Sequence, residues 1–262
     1  MSTSTYSEHM RKDWDARAAS DFIYFTLTTY GRGFKDLETY FRDGTYDGIA
    51  LVRPVLARMR FDARGKRALD IGCGCGRIFG AFEALGFSDI LGLDVSPAMV
   101  AQGTSTCPVK NAKFIVGNGH DLADVPSDSI DFCFSYNVFQ HLPNQEIAFD
   151  YLAEVERVLR PDGVFQLHYR SRYPWRRQIL SLLPSGVRER AQSAYRRAVG
   201  RQTNPEEANA DLIAGTWLGK SISPQGLLGR LRQLGLSGTR IFPDYSYPDG
   251  TTYFAVGRKP QS

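Results

Sequence analysis

The chain has 262 residues, 42% of them hydrophobic and 23% charged, with a formal net charge of +4. That length suits one large domain with insertions or a cap, and the composition is that of an ordinary globular protein, which excludes fibrous and disordered classes. No apolar run approaches the roughly 18 residues that span a bilayer, and the first twenty residues hold no apolar leader core, so a cytoplasmic protein is expected.

Trp14, Ala18, Phe22 and Phe25 recur near helical spacing and predict a helix within 8–30. Leu37, Tyr40, Phe41, Ile49, Val52, Val55, Leu56 and Met59 predict two further helical pieces over 36–59. A turn at Asp43-Gly44 separates them and Pro54 kinks the second. An alternation then begins. Strands are predicted at 67–72, 89–95, 112–117, 130–136 and 163–169, with helices at 76–86, 97–103 and 144–160. Ser96-Pro97 reads as a helix entry, with Ser96 the N-cap and Pro97 at the first helical position. Ile147, Tyr151, Leu152, Val155, Val158 and Leu159 form one apolar face, and Pro161-Asp162-Gly163 turns the chain into the next strand.

Residues 170–222 do not alternate. A helix resumes at 223–234 behind Ser223-Pro224, with Leu227, Leu228, Leu231 and Leu234 inward. Strands near 238–243 and 251–258 flank a hairpin signal at Asp249-Gly250. The fold class read from this order is α/β: a doubly wound, mainly parallel seven-stranded sheet with a terminal antiparallel hairpin. The domain organisation is an N-terminal helical lid over 1–64 and a main domain over 65–262, with 170–222 a basic helical cap insertion.

The chemistry concentrates at two strand ends. Ala68-Leu69-Asp70-Ile71 runs into Gly72-Cys73-Gly74-Cys75-Gly76-Arg77, and Ile90-Leu91-Gly92-Leu93 ends in Asp94. Glycines at a strand tip let the backbone approach a ligand closely. An acid at the tip of the second strand can accept two ribose hydroxyls at once. The spacing is Gly-x-Gly-x-Gly, with Arg77 where a dinucleotide fingerprint has its third glycine, and Asp70 would repel a pyrophosphate but attract a cationic or amino-bearing ligand. The four cysteines, Cys73, Cys75, Cys107 and Cys133, lack a second close pair, so reduced buried thiols and no metal are expected.

This loop resembles motif I of the class I S-adenosylmethionine-dependent methyltransferases. The resemblance extends over most of residues 65–170: KFIVGNGHDL at 113–122 is similar to the third strand and adenine loop, SIDFCFSYNVFQHLP at 129–143 to the fourth strand and its loop, and RVLRPDGVFQLHYR at 157–170 to the turn and fifth strand. It implies S-adenosyl-L-methionine as cofactor, held by Asp70, Gly72, Cys73, Gly74, Gly76, Asp94, Val95, Met99, Asn118, Gly119, Tyr136 and Asn137. The stretch Met10–Arg17 resembles a leader helix that folds over the cofactor. On that likeness Trp14 stacks there, while Arg17 or Tyr24 meets the methionine carboxylate. Simple packing of an amphipathic helix is the alternative.

Methyl transfer from a sulfonium needs alignment and exclusion of water, and a hydroxyl acceptor also needs a base. Histidine suits that role near neutral pH. His9 lies in the leader and His120 after the adenine loop, whereas His141 and His168 follow the fourth and fifth strands and are the catalytic candidates. Tyr169, Arg170 and Trp217 are the acceptor-binding candidates. Ser135-Tyr136-Asn137-Val138 lacks the Pro-Pro of amino-methylating nucleic-acid enzymes. The segment 170–201 carries nine arginines and one acid, interleaved with Tyr173, Trp175 and leucines. It reads as a cap over the acceptor pocket that meets an anionic group, a membrane surface or a nucleic acid, or else as a solvated face or a dimer contact. The expected activity is O-methylation of a small molecule or glycan, such as a sugar hydroxyl on a glycolipid or polysaccharide precursor. Nucleic acid is the less favoured partner. The alternatives are an RNA methyltransferase and an inactive cofactor-binding partner subunit. The sequence leaves the oligomeric state open.

Overall fold

The computed structural model describes residues 3–26, 36–142, 144–171, 221–244 and 252–261; the side chains of 3–6 and of Tyr24 lie outside that set. Two long helices come first, α1 (Thr3–Thr26) and α2 (Leu37–Arg58). The strands are β1 (Arg67–Ile71), β2 (Asp89–Asp94), β3 (Ala112–Val116), β4 (Ile130–Ser135), β5 (Leu159–Arg170), β6 (Arg240–Pro243) and β7 (Thr252–Arg258). Helices α3 (Phe79–Leu85), α4 (Pro97–Thr106) and α5 (Gln145–Val158) connect the parallel strands, and α6 (Pro224–Gln233) precedes β6.

The seven strands form one sheet in the order β3-β2-β1-β4-β5-β7-β6. Strands β1 to β5 pair in parallel, and β7 runs antiparallel to both β5 and β6. This is the class I methyltransferase arrangement, a doubly wound sheet with an antiparallel terminal hairpin. The Asp249-Gly250 turn lies outside the described residues. One sheet face packs on α5 and α6 through Ile147, Leu152, Leu227 and Leu231. The other packs on α2 and α3 through Val52, Leu56, Phe79 and Phe82. Leu69, Ile90, Phe132 and Phe165 are fully buried between these layers.

The expected turn at Asp43-Gly44 is absent: α2 is one continuous helix through Gly44 and Pro54. Its glycines serve close packing instead. A Cβ on Gly44 would collide with the Arg77 carbonyl oxygen, and one on Gly48 would lie 2.6 Å from the Ala81 Cβ. Gly80 faces Thr45 with equally little room. Pro54 is tolerated because it and Ala50, whose carbonyl loses its helical donor, are both exposed. Helix α3 starts at Phe79, later than the spacing predicts, because Gly76 (φ 78°) keeps the loop open for another turn. Strand β5 reaches back to Leu159, with the Pro161-Asp162-Gly163 turn inside it as an irregularity at Asp162 (φ 65°).

Candidate active site

The carboxyl ends of β1, β2 and β4 converge, as open α/β sheets require of a ligand site. After β1 the chain takes left-handed turns at Gly72 (φ 73°), Gly74 (φ 55°) and Gly76 (φ 78°). Side chains avoid that region, and at Gly72 a Cβ would also strike Val138. The Leu93 carbonyl accepts from the Gly72 N–H at 2.7 Å and the Cys73 N–H at 3.1 Å, tying the loop to β2. Asp94 completes the tie. Its Oδ2 accepts from the Gly74 N–H at 2.8 Å and its Oδ1 from the Ser96 N–H at 2.9 Å. Each carboxylate oxygen can accept a further hydrogen bond, and Asp94 lines the cavity.

Two acids share this buried place. Burial pushes the Asp70 carboxyl well above the ordinary carboxylate range, and the neighbouring Asp94 charge pushes it further. Burial also raises Asp94, partly offset by the backbone N–H donors of Ser96 and Gly74. A cationic ligand placed between them would relieve both acids.

Helix α1 lies over this end of the sheet. Asp15 Oδ1 accepts from Ser96 Oγ at 2.5 Å and from the Ala98 N–H at 3.1 Å, while Ser96 Oγ itself accepts from the Met99 N–H at 3.1 Å. The first turn of α4 is thus capped by its own serine and by a carboxylate from α1, where the helix dipole favours negative charge. Trp14, one residue earlier, meets His141 edge-on with ring centroids 5.6 Å apart. Together these elements enclose a cavity of about 260 Å³.

Of the residues singled out from the sequence, Trp14, Asp70, Gly72, Cys73, Gly74, Asp94, Val95, Met99, Gly119, Tyr136, Asn137 and His141 line this cavity. Gly76 sits behind it, against Phe114 and Phe79. Asn118 is turned into its own loop, accepting from the His120 and Asp121 N–H groups at 3.0 Å each. Arg17 is buried, pairs with Asp13 at 2.9 Å, and packs its guanidinium on Trp14 and Phe25. Tyr169 belongs to the apolar layer under α5 and α6, and the Arg170 carbonyl accepts from the Ile222 N–H. The Tyr24 side chain, Trp217 and the arginine-rich stretch beyond Ser171 fall outside the described residues.

The two candidate histidines differ sharply. His141 is half-buried at the cavity wall, with its Nε2 3.3 Å from Gln140 Nε2. His168 is fully buried. Its Nδ1 accepts from the Asn137 N–H at 3.2 Å, and its Nε2 lies 3.2 Å from Asp244 Oδ2. Burial pulls its pKa down and the Asp244 carboxylate opposes that pull.

Several lining residues carried little sequence signal. Met10 lies one helical turn before Trp14, so the spacing of α1 would have found it. Leu51 and Arg77 also line the cavity. The buried Arg77 pairs with Asp47 and lies over the Tyr40 ring, so a cation follows the glycine loop at its wall. Among the described residues no group of three or more His, Cys, Asp or Glu side chains is placed to hold a metal. No helix among them is long and apolar enough to cross a membrane.

Residues 69–167 match the family described as "Methyltransferase domain". The Escherichia coli cyclopropane-fatty-acyl-phospholipid synthase is 24% identical over 178 residues, 68% of this chain and 36% of that protein. An uncharacterized methyltransferase of Mycobacterium avium is 32% identical over 107 residues, 41% of this chain and 40% of that one. The chain therefore spans well under half the length of these curated relatives. Among solved structures, the Synechocystis magnesium protoporphyrin IX methyltransferase with bound S-adenosylhomocysteine superposes with a TM-score of 0.61. It is 14% identical, and the match covers 97% of this chain and 99% of that one.

Proposed function

We propose that this chain, which carries a class I methyltransferase domain, transfers a methyl group from S-adenosylmethionine to a hydroxyl of a small molecule or glycan. The observation that carries the cofactor reading is Asp94, a buried carboxylate clamped by the Gly74 and Ser96 N–H groups at the tip of the second strand. Its free accepting capacity suits a ribose diol. The left-handed glycine loop brings backbone within reach of the ligand, and Asp70, whose buried carboxyl favours its proton, would give that proton up to pair with the ligand's cationic, amino-bearing end. Val95, Met99 and Gly119 form a small, apolar wall for the base, with Met10 and Trp14 of α1 above it. When bound, the cofactor supplies an activated methyl on a positively charged sulfur.

His141 is the residue we assign to the acceptor's proton. It faces the cavity, whereas both ring nitrogens of His168 are turned to the protein, one to the Asn137 N–H and one to Asp244. The Trp14 ring packs edge-on against the His141 ring at the cavity wall. Tyr136 and Asn137 also line the cavity. The acceptor class rests on the base and on the arginine-rich, apolar-laced stretch 170–201.

The test is labelled S-adenosylmethionine offered with sugars, glycolipids, phenols and RNA. Label in a hydroxyl-bearing acceptor is expected, and His141→Ala should lower turnover by about 10²–10⁴ while S-adenosylhomocysteine still binds. Label in RNA alone would move the acceptor to nucleic acid. Binding without transfer to any class would leave a cofactor-binding partner subunit. A variant with undiminished turnover would remove His141 from the reaction.

A further inference from the structure

A second buried polar cluster stands behind the cavity wall, and its carboxylate comes from the far end of the chain. Asp244 follows β6 directly, and its N–H donates to the Thr252 carbonyl at 3.0 Å, so it is fixed at the base of the terminal hairpin. Its side chain is buried. One oxygen, Oδ2, lies 3.2 Å from the Tyr136 hydroxyl, which donates to it, and 3.2 Å from His168 Nε2. His168 Nδ1 takes the Asn137 N–H, so the neutral ring carries its proton on Nε2, the nitrogen that lies 3.2 Å from Asp244 Oδ2. The rings of Tyr136, His168 and Phe254 pack within 4.7–5.7 Å of one another and leave the cluster no slack.

The other end of this chain of contacts is the cavity. Tyr136 and Asn137 both line it, and Asn137 is one of four non-glycine residues among those described with a left-handed backbone (φ 61°). Asparagine tolerates that conformation better than most residues, and a contact that fixes its N–H adds to its hold there. The hydrogen bond from its N–H to His168 is such a contact, and His168 can accept only while its proton stays on Nε2. An anionic oxygen 3.2 Å from Nε2 favours that tautomer.

We infer that Asp244 is a positioning residue for the cofactor pocket: through His168 it holds Asn137 in its left-handed turn, and through the Tyr136 hydroxyl it holds the adjoining ring. The inference rests on the cofactor reading of the cavity, but its first consequence, the His168 tautomer, does not.

The test uses the full chain with two readouts. Nitrogen NMR of the histidine rings, assigned with His168→Asn, should find the proton of His168 on Nε2 in the wild type. In Asp244→Ala the tautomer should become mixed. S-adenosylhomocysteine should then bind about tenfold more weakly, the scale of one hydrogen bond to a charged group. Asp244→Asn retains an accepting oxygen and should recover the tautomer and most of the affinity, a rescue that lost bulk or general loosening does not explain. Tyr136→Phe should keep the tautomer and lose affinity severalfold; it decides the matter if Asp244→Ala does not fold. An unaltered tautomer in folded Asp244→Ala would overturn the inference, as would unchanged affinity in either Asp244→Ala or Tyr136→Phe. If the wild type fails to bind S-adenosylhomocysteine, the cofactor reading falls, and the tautomer alone still decides whether Asp244 orients His168.

Discussion

The two N-terminal helices are of similar length and adjacent in sequence, yet they are held by different forces. Helix α2 buries Tyr40, Phe41, Val52 and Leu56, and its glycines let it sit almost in backbone contact with Arg77 and α3. It is part of the core layer on one face of the sheet. Helix α1 buries Ser7 and Arg17 and bends at Asp21, where the backbone leaves helical geometry (φ −161°, ψ 86°). It is attached through Asp15 at the N-terminus of α4 and through Trp14 against His141. Apolar burial ties α2 to the sheet along its length, whereas α1 packs Phe22 and Ile23 on Tyr40, Phe41 and Cys75 near its end and is held over the cavity by Asp15 and Trp14. If α1 is a lid, its cavity-side part should open without unfolding the domain, and a ligand beneath it should add to its attachment.

The largest expected effect lies on the α2 side. Leu56→Ala removes a buried side chain from the layer that includes Val52, Ala63, Phe87 and Val164. It should cost about 2–5 kcal/mol of global stability, read as a lower denaturant midpoint. Affinity for S-adenosylhomocysteine should stay at the wild-type value. A loss of affinity with little change in midpoint would erase the distinction between the helices.

Most of the scaffold was legible in the sequence because its signals are local. The alternation, the Gly72–Gly76 loop, Asp94 at its strand tip and the Ser96-Pro97 helix entry each rest on neighbouring residues, and each is present in the structure. What was not legible depends on distant partners. Asp43-Gly44 has the chemistry of a turn, and only the proximity of Arg77 explains a glycine inside a helix. The Asp15 contact joins residues 81 apart, and the Asp244 contact joins residues 108 apart. His141 and His168 are equivalent as strand-end histidines until the Asn137 N–H and Asp244 turn one of them inward.

The next effect lies under α1, at the acids it covers. Asp94→Ala should weaken S-adenosylhomocysteine by about 1.5–3 kcal/mol in titration calorimetry, the range for hydrogen bonds to a charged group. Unchanged affinity in a folded variant would remove Asp94 from the ribose site. Asp70 should behave with opposite signs in two assays. Its folded pKa is raised by burial and by Asp94, so the folded protein holds a proton that the unfolded chain releases at lower pH. Stability should therefore fall as pH rises from the ordinary carboxylate value through the raised one. Asp70→Asn should abolish that fall and stabilise the protein alone at neutral pH, while weakening the cationic ligand. A variant less stable than wild type at neutral pH would mean that Asp70 has a structural partner in place of a reserved charge.

The smallest effect is the sharpest test of how α1 is held. Asp15 reaches α4 from α1, accepting from both Ser96 Oγ and the Ala98 N–H. Asp15→Ala leaves Ser96 to cap Met99 alone, so α4 itself should persist. The loss should be about 0.5–2 kcal/mol, the worth of a helix-capping side chain. It should appear as faster protease cleavage and faster amide exchange within α1, with the denaturant midpoint of the domain unmoved. Affinity for S-adenosylhomocysteine should fall by the same free energy, since a ligand that binds beneath a closed helix must close it first. Saturating ligand should return exchange in α1 towards the wild-type rate. If exchange accelerates equally in α1 and α2, the helices share one cooperative unit and α1 is simply core. If exchange in α1 accelerates but affinity does not move, the helix covers the cavity without contributing to what binds in it. Only the paired change, local opening matched by weaker binding, fits a lid whose attachment and ligand support each other.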